Sequence, residues 1–424
     1  LNKIFVIIFF IILLTFFIFI PSSLNSAGFY IPDVGATCLG RGSAFVVRAD
    51  DLTAIYHNPA GLARLNGVNI LLDAGLMHKS ASFDRADEEN VVYPEVRAAE
   101  MVSPIPFLGI GSDFGSKKFT LALGAYGPYG VPEVKFPEDG PQRYNIVESS
   151  MEQVHYTFGA GFKITDWFNL GINFGLVDLY VTQKMKFFTG FNDADLTYKL
   201  SAHGSKSWAI GGIWKIIDEL EVGMSYQPKI LSILEGYLTA SNVPLLNEVS
   251  DNIKVSIELP PILRGGVRYI FAHDSDVEID AVWMGWSTIK DYTGIFETGS
   301  LFGIQKVVFP KNWHDAISIR VGGDYNFSKN LTFRAGYFYD QATAPEETID
   351  ASSIDLDGHG LAAGISYEYK NYTFRLSYSH IFMPDTNVNN SIAGSEVSPP
   401  VLEKKFVQTG DILLDGICWF LDFR

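Results

Sequence analysis

Five arginines and five acids carry most of the chemistry that this sequence offers: Arg264, Arg268, Arg320, Arg334 and Arg375, with Glu278, Asp280, Asp324, Asp340 and Glu368. Each sits in an apolar stretch at a spacing that puts it on one face of an extended chain. Buried ions need partners, so the set reads first as pairs that neutralise one another. One or two guanidiniums, with Arg264, Arg268 and Arg320 as candidates, are then left to hold a carboxylate. Catalysis has little support, because the eight histidines are scattered singly and neither a Gly-x-Ser-x-Gly elbow nor a zinc-type spacing occurs. The chain is therefore read as a non-enzyme without cofactor or metal. Cys38 and Cys418 lie at opposite ends, which gives no disulfide framework, and Thr37 before Cys38 makes a poor lipoprotein box. A net charge of −16 argues against a nucleic-acid partner and suits acidic outer loops.

The elements that position these charges repeat every second residue. From Val68 onward, segments of about ten residues alternate bulky apolar side chains with small, polar or charged ones, which is the signature of strands. In the run Ile317-Ser318-Ile319-Arg320-Val321, odd positions meet oil and even positions meet water. The same pattern runs through 331–340, 361–370 and 372–382. Soluble sandwiches also alternate, but their strands are about five or six residues long, whereas strands tilted across a membrane need about 9 to 11. At the start, Lys3 precedes an apolar run from Ile4 to Ile20 broken only by Thr15, followed by Ser22, Ser23 and Ser26. That reads as a secretory signal over 1–26, with an uncleaved anchor as the alternative. No later stretch is as long without charge, which excludes a helical multispanning protein.

Short connections at 115–118, 165–166, 217–218, 273–275, 328–330 and 370–371 alternate strictly with longer ones at 79–91, 127–150, 184–204, 241–251, 289–314, 341–357 and 383–403. Outer-membrane barrels join strands in this way, with short periplasmic turns and long outer loops. The expected fold is all-β: a fourteen-stranded antiparallel transmembrane barrel over 68–424, with a small hatch over 27–67 inside its lumen. The parity requires a second strand within 92–114 despite Pro104 and Pro106. Trp167-Phe168, Trp283, Trp286 and Trp419 near strand ends suit interfacial girdles. Gly211-Gly212 and Gly322-Gly323, inside strands, ease close packing or bending. The chain closes on alternating Trp419, Leu421 and Phe423, similar to the signal read by the barrel assembly machinery, and then ends on Arg424.

Residues 27–67 differ from the rest. Ala27-Gly28-Phe29-Tyr30-Ile31 is followed by Leu39-Gly40-Arg41-Gly42 and by Ala49-Asp50-Asp51-Leu52-Thr53-Ala54-Ile55-Tyr56-His57-Asn58-Pro59-Ala60-Gly61-Leu62-Ala63. Asp50 or Asp51 would cap a short helix there, and Asn58-Pro59 would end it. These motifs, with Ala122-Leu123-Gly124-Ala125-Tyr126-Gly127-Pro128-Tyr129-Gly130, Trp283-Met284-Gly285-Trp286-Ser287 and Arg334-Ala335-Gly336-Tyr337-Phe338-Tyr339-Asp340, resemble the FadL-type fatty-acid and hydrocarbon transporters of the outer membrane. The resemblance implies that ligand meets an apolar site among the outer loops, then a deeper pocket reached by the N-terminus, and leaves sideways where the third strand kinks. Phe29, with Tyr30 beside it, would line that pocket. Asn58-Pro59-Ala60 would be the hatch motif, and Ala122, Gly124 and Gly127 would lie at the kink.

Loop aromatics Phe187 and Phe188 would form the outer apolar site or a girdle at the membrane interface. The expected function is passive uptake of hydrophobic compounds, fatty acids or hydrocarbons, by a monomer among outer-membrane lipid and lipopolysaccharide. A general or substrate-specific aqueous porin and a non-transporting adhesin or structural barrel are the alternatives. Pocket shape, and with it the cargo, is not written in one sequence.

Overall fold

The computed structural model describes residues 28–31, 34–79, 81–85, 92–99, 101–271, 274–298, 305–349, 351, 355–383, 387–388, 406–407 and 418–423. The expected signal and most of the connection at 383–403 lie outside the described residues. Among the described residues, nineteen strands form one antiparallel sheet. Val68–Lys79 pairs with Met101–Ser112, which pairs with Phe119–Tyr126, and that with Glu148–Lys163. Phe168–Phe188, Asp193–Ile217 and Leu220–Gln227 follow. Ile262–Phe271, Ser275–Met284 and Ala316–Asn326 come next, then Leu331–Asp340, Gly358–Tyr369 and Tyr372–Phe382. Cys418–Phe423 pairs with Tyr372–Phe382 on one side and with Val68–Lys79 on the other.

Along each strand the burial alternates as expected. Ile317 and Ile319 are exposed while Ser318 and Arg320 between and beside them are buried. Burying an aliphatic side chain contributes about 1.5–3 kcal/mol over leaving it in water. A sheet that forgoes this at every second position presents a face made for hydrocarbon rather than for water. Of the ten charged residues singled out above, all but Glu368 lie on the buried face; Glu368 sits at the short-turn end of its strand and is exposed.

Several strands run further than the alternation suggested. The connections expected at 184–204 and 241–251 shrink to turns, because Phe168–Phe188 continues into Asp193–Ile217, and Ile230–Val243 into Asn247–Leu259. Phe187 and Phe188 are thus strand residues, Phe187 packed against buried side chains and Phe188 exposed. Polar residues on both faces hid these extensions, since period two is visible only where one face is apolar. Prolines mark the joints: Pro228 lies between Leu220–Gln227 and Ile230–Val243, and Pro260-Pro261 between Asn247–Leu259 and Ile262–Phe271.

The N-terminal segment packs on the buried face. It contains the helical turns Ala36–Gly40 and Ala54–His57 and the 3-10 helix Pro59–Arg64. Asp51 accepts from the Thr53 amide at 2.9 Å, just ahead of the second turn, which ends before Asn58 as the proline dictates. The contacts demand small residues on the wall. A Cβ on Gly322 or Gly336 would collide with the backbone of Arg41, and one on Gly171 with that of Pro59. Gly42 has φ +58° and lies against the backbone of Gly336 and Tyr337, so it needs glycine for both conformation and space.

Candidate functional site: an aromatic cluster beside a break in the wall

The ladder between Met101–Ser112 and Phe119–Tyr126 stops at Phe107 opposite Tyr126. Above it, among the described residues, no ladder pair joins 101–106 to 127–134; the next link is the Ala99 amide donating to the Lys135 carbonyl at 2.7 Å. Pro104 and Pro106 fall in this interval and supply no amide donor, so the strand behaves there as a local edge. Ala122 and Gly124 lie lower, in a stretch paired on both sides, with Gly111 and Gly159 facing Ala122, and Gly109 and Thr157 facing Gly124. Of the residues expected at the kink, Gly127 alone stands at the break.

The N-terminal segment covers this edge. The Ile31 amide donates to the Pro128 carbonyl at 2.8 Å, the Gly130 amide donates to the Phe29 carbonyl at 3.2 Å, and Tyr30 and Tyr129 form an isolated antiparallel bridge. Backbone groups that the wall leaves unpaired are satisfied by three residues of the N-terminal segment.

Those three residues also bring an aromatic cluster together. The Phe29 ring lies 4.7 Å from Trp286 and 5.7 Å from Trp313, and the Tyr30 ring 5.5 Å from Tyr129. Trp286 and Trp313 are 5.2 Å apart. Both are fully buried, so Trp286 is a residue of this cluster and not part of an interfacial girdle. Edge-to-face geometry of this kind adds about 0.5–1.5 kcal/mol per pair beyond burial.

Arg264 lies at one end of the cluster. Its Nη2 donates to the Tyr30 hydroxyl at 3.3 Å and its guanidinium lies 4.7 Å from the centre of the Tyr56 ring. It is 2% exposed, Nη1 has no hydrogen-bond partner, and no carboxylate among the described residues pairs with it. The other two candidate arginines differ. Arg268 pairs with Asp276 at 2.6 Å and Glu221 at 3.1 Å, and Arg320 with Asp340 at 2.6 Å. Both are neutralised, Arg320 by an acid of the expected set and Arg268 by two acids outside it.

Asn58-Pro59-Ala60 occupies a different place. The Asn58 amide donates to the carbonyls of Val46 at 2.8 Å and Gly212 at 3.3 Å, and its Oδ1 accepts from Ala60 at 3.2 Å. The motif therefore ties the N-terminal segment to the wall strand Asp193–Ile217 and starts the 3-10 helix, away from the cluster.

Four participants went unnoticed as site residues in the sequence: Trp286, Trp313, Tyr129 and Asp355. Asp355, in an outer connection, accepts from the Gly28 amide at 2.7 Å, from the Thr343 amide and hydroxyl at 2.6 Å each, and from the Ala344 amide at 2.8 Å. Burial outweighs the pull of the four donors and leaves its carboxyl pushed up to about 6. Since the Gly28 amide is among the groups that favour the ionised form, its contact is strongest above about pH 6 and weakens as pH falls through that value. Hydrogen exchange over 28–31, corrected for intrinsic rates, is expected to show less protection at pH 5 than at pH 7.5. In Asp355→Ala protection should be low at both. A pH-independent protection in the unaltered protein would show that Asp355 does not hold the segment.

Residues 17–409 match the family model described as outer membrane protein transport protein (OMPP1/FadL/TodX). The chain is 20% identical to a long-chain fatty acid transport protein of Escherichia coli, over 81% of this chain and 84% of that protein. Its fold superposes on a FadL homologue of Pseudomonas aeruginosa with a TM-score of 0.79 at 18% identity, covering 93% of this chain and 99% of that one. The toluene transporter TodX of Pseudomonas putida gives 0.70 at 16% identity, with 95% and 98% covered. With a family match over nearly its whole length, an all-β sheet whose exposed face is apolar and the fold of these transporters, the chain belongs to the OMPP1/FadL/TodX family of outer-membrane transport proteins.

Proposed function

We propose that the protein is a closed fourteen-stranded barrel through which amphiphilic hydrophobic acids pass passively, entering the aromatic pocket from outside and leaving sideways through the break beside Gly127. The pairing of Cys418–Phe423 with Val68–Lys79 supports closure, and the moored N-terminal segment supports the role of a hatch. The observation that carries the reading is Arg264, a buried guanidinium without an acidic partner at the end of the aromatic cluster. A fatty-acid carboxylate would supply the missing charge, and its tail would lie among Phe29, Trp286 and Trp313. Both long-chain acids and toluene occur as cargo names among the relatives; the arginine favours the acid.

The lateral step asks the N-terminal segment to release the edge at 128–130. Tyr30 and Tyr129 face each other across an antiparallel bridge, a separation that a disulfide spans. In Tyr30→Cys/Tyr129→Cys, oxidation is expected to abolish uptake of labelled oleate by cells at matched surface abundance, and reductant to restore the level of the reduced double variant. Undiminished uptake in the fully oxidised variant would overturn the lateral route.

A further inference from the structure

The outer face of the wall carries a cavity of about 730 Å³ immediately below the break. Two cross-strand rows form it. One runs Leu108, Ala125, Tyr156, Leu176, and the other Ile110, Leu123, Phe158, Phe174. Leu108, Leu123, Phe158 and Phe174 are 54%, 58%, 45% and 54% exposed, so the hollow opens on the side opposite to the hatch. Ala125 makes the dip: it is the one small side chain in its row, set between Leu108 and Tyr156 in register. Gly124 and Gly175 add no bulk to the floor.

Position gives the hollow its meaning. Leu108 and Ala125 are each one residue from the pair Phe107 and Tyr126, where the ladder ends. Anything leaving the lumen between 101–106 and 127–134 emerges at the rim of the cavity. Its volume lies within the range of about 300–1,000 Å³ typical of small-molecule sites. The lining is apolar throughout apart from the Tyr156 hydroxyl and Thr157.

We infer that this hollow is a second binding site, on the outside of the wall, for the hydrocarbon tail of cargo that has just passed the break. The proposal rests on the lateral route. A tail leaving through a smooth wall would have to displace packed lipid before losing its contacts inside. A seat at the foot of the break gives it apolar contact outside while the headgroup is still at the edge, which lowers the barrier to release without altering affinity in the inner pocket.

Filling the dip tests this. Ala125→Leu and Ala125→Trp place their bulk on the exposed face, and Val267→Trp, exposed on a distant strand, serves as control. Initial uptake of labelled oleate, at matched surface abundance, is expected to fall about twofold for leucine and about fivefold or more for tryptophan, with Val267→Trp unchanged. Oleate affinity of the purified protein should stay at the unaltered value in all three. Unchanged uptake in both Ala125 variants, while the oxidised Tyr30→Cys/Tyr129→Cys protein is blocked, would overturn the seat and leave the lateral route standing, the hollow holding membrane lipid only. Unchanged uptake in the Ala125 variants and in the oxidised protein alike would overturn the route and the seat with it. If Ala125→Trp assembles poorly, Ala125→Leu alone decides, a rate equal to the unaltered one counting against the proposal.

Discussion

Arg264→Ala is expected to weaken binding of a long-chain carboxylic acid by roughly ten- to hundredfold, while the alcohol of the same chain length binds nearly as before. A hydrogen bond to a charged group contributes about 1.5–3 kcal/mol, and 1.4 kcal/mol is a factor of ten. The alcohol keeps its apolar contacts with Phe29, Trp286 and Trp313 and never used the charge. The measurement is equilibrium binding of both ligands to the purified protein. Equal losses for acid and alcohol would point to a collapsed pocket, and no loss for either would remove Arg264 from recognition.

A second readout separates recognition from architecture. Taking a guanidinium out of water costs several kcal/mol, and an apolar side chain of similar volume often stabilises the site it replaces. Among the described residues, the side chains that Arg264 engages are tyrosines: Tyr30 accepts its hydrogen bond and Tyr56 offers a ring face. Ligand-free Arg264→Met is therefore expected to unfold at a temperature equal to or above that of the unaltered protein. A group kept for structure would show the opposite.

Arg264 also marks how far the sequence could be read. Alternation placed it on the buried face together with Arg268 and Arg320, and the structure agrees for all three. Which of them lacked a partner was not legible, because partnership depends on register: Arg268 reaches Asp276 eight residues away and Glu221 on another strand. The strand over Leu331–Asp340 was legible to the residue, since one face is aromatic and the other charged. Met101–Ser112 was legible only from parity, and its prolines, which argued against it, turn out to mark the break. Trp286 and Trp313 come from the two ends of one long connection, and Tyr129 and Asp355 from two others. Only tertiary contact brings them to Phe29 and Gly28, so no spacing announces the cluster.

Replacing Arg41 is expected to have the largest effect on the N-terminal segment, the proposed hatch. The Arg41 guanidinium donates to Asp276 at 2.7 Å, Asp324 at 2.6 Å and Glu278 at 3.1 Å, while its Nε donates to the Ala44 carbonyl at 2.9 Å. Two acids of that wall strand accept from the backbone that follows: Glu278 from Val47 at 2.7 Å, and Asp280 from Phe45 at 2.8 Å. One wall strand thus presents Asp276, Glu278 and Asp280 at alternate positions, and the turn at Arg41 docks on all of them. Arg48 and Arg268 remain to offset part of the charge in Arg41→Ala, yet removing one partner of a buried pair costs about 3–5 kcal/mol, because the other stays buried without it. The cost falls on the docked state of the hatch, since the wall strands keep their ladders. Barrel assembly, followed by heat-modifiable migration, should survive. Ion conductance in planar bilayers should rise from near zero, and protease should reach the 34–65 segment. Arg41→Lys should be intermediate, a point charge being unable to bridge three carboxylates in the guanidinium's fork. Asp324→Asn removes one acceptor and should leak less than Arg41→Ala. A sealed, protease-resistant Arg41→Ala protein would show that the glycine contacts and Asn58 hold the hatch without the ionic cluster.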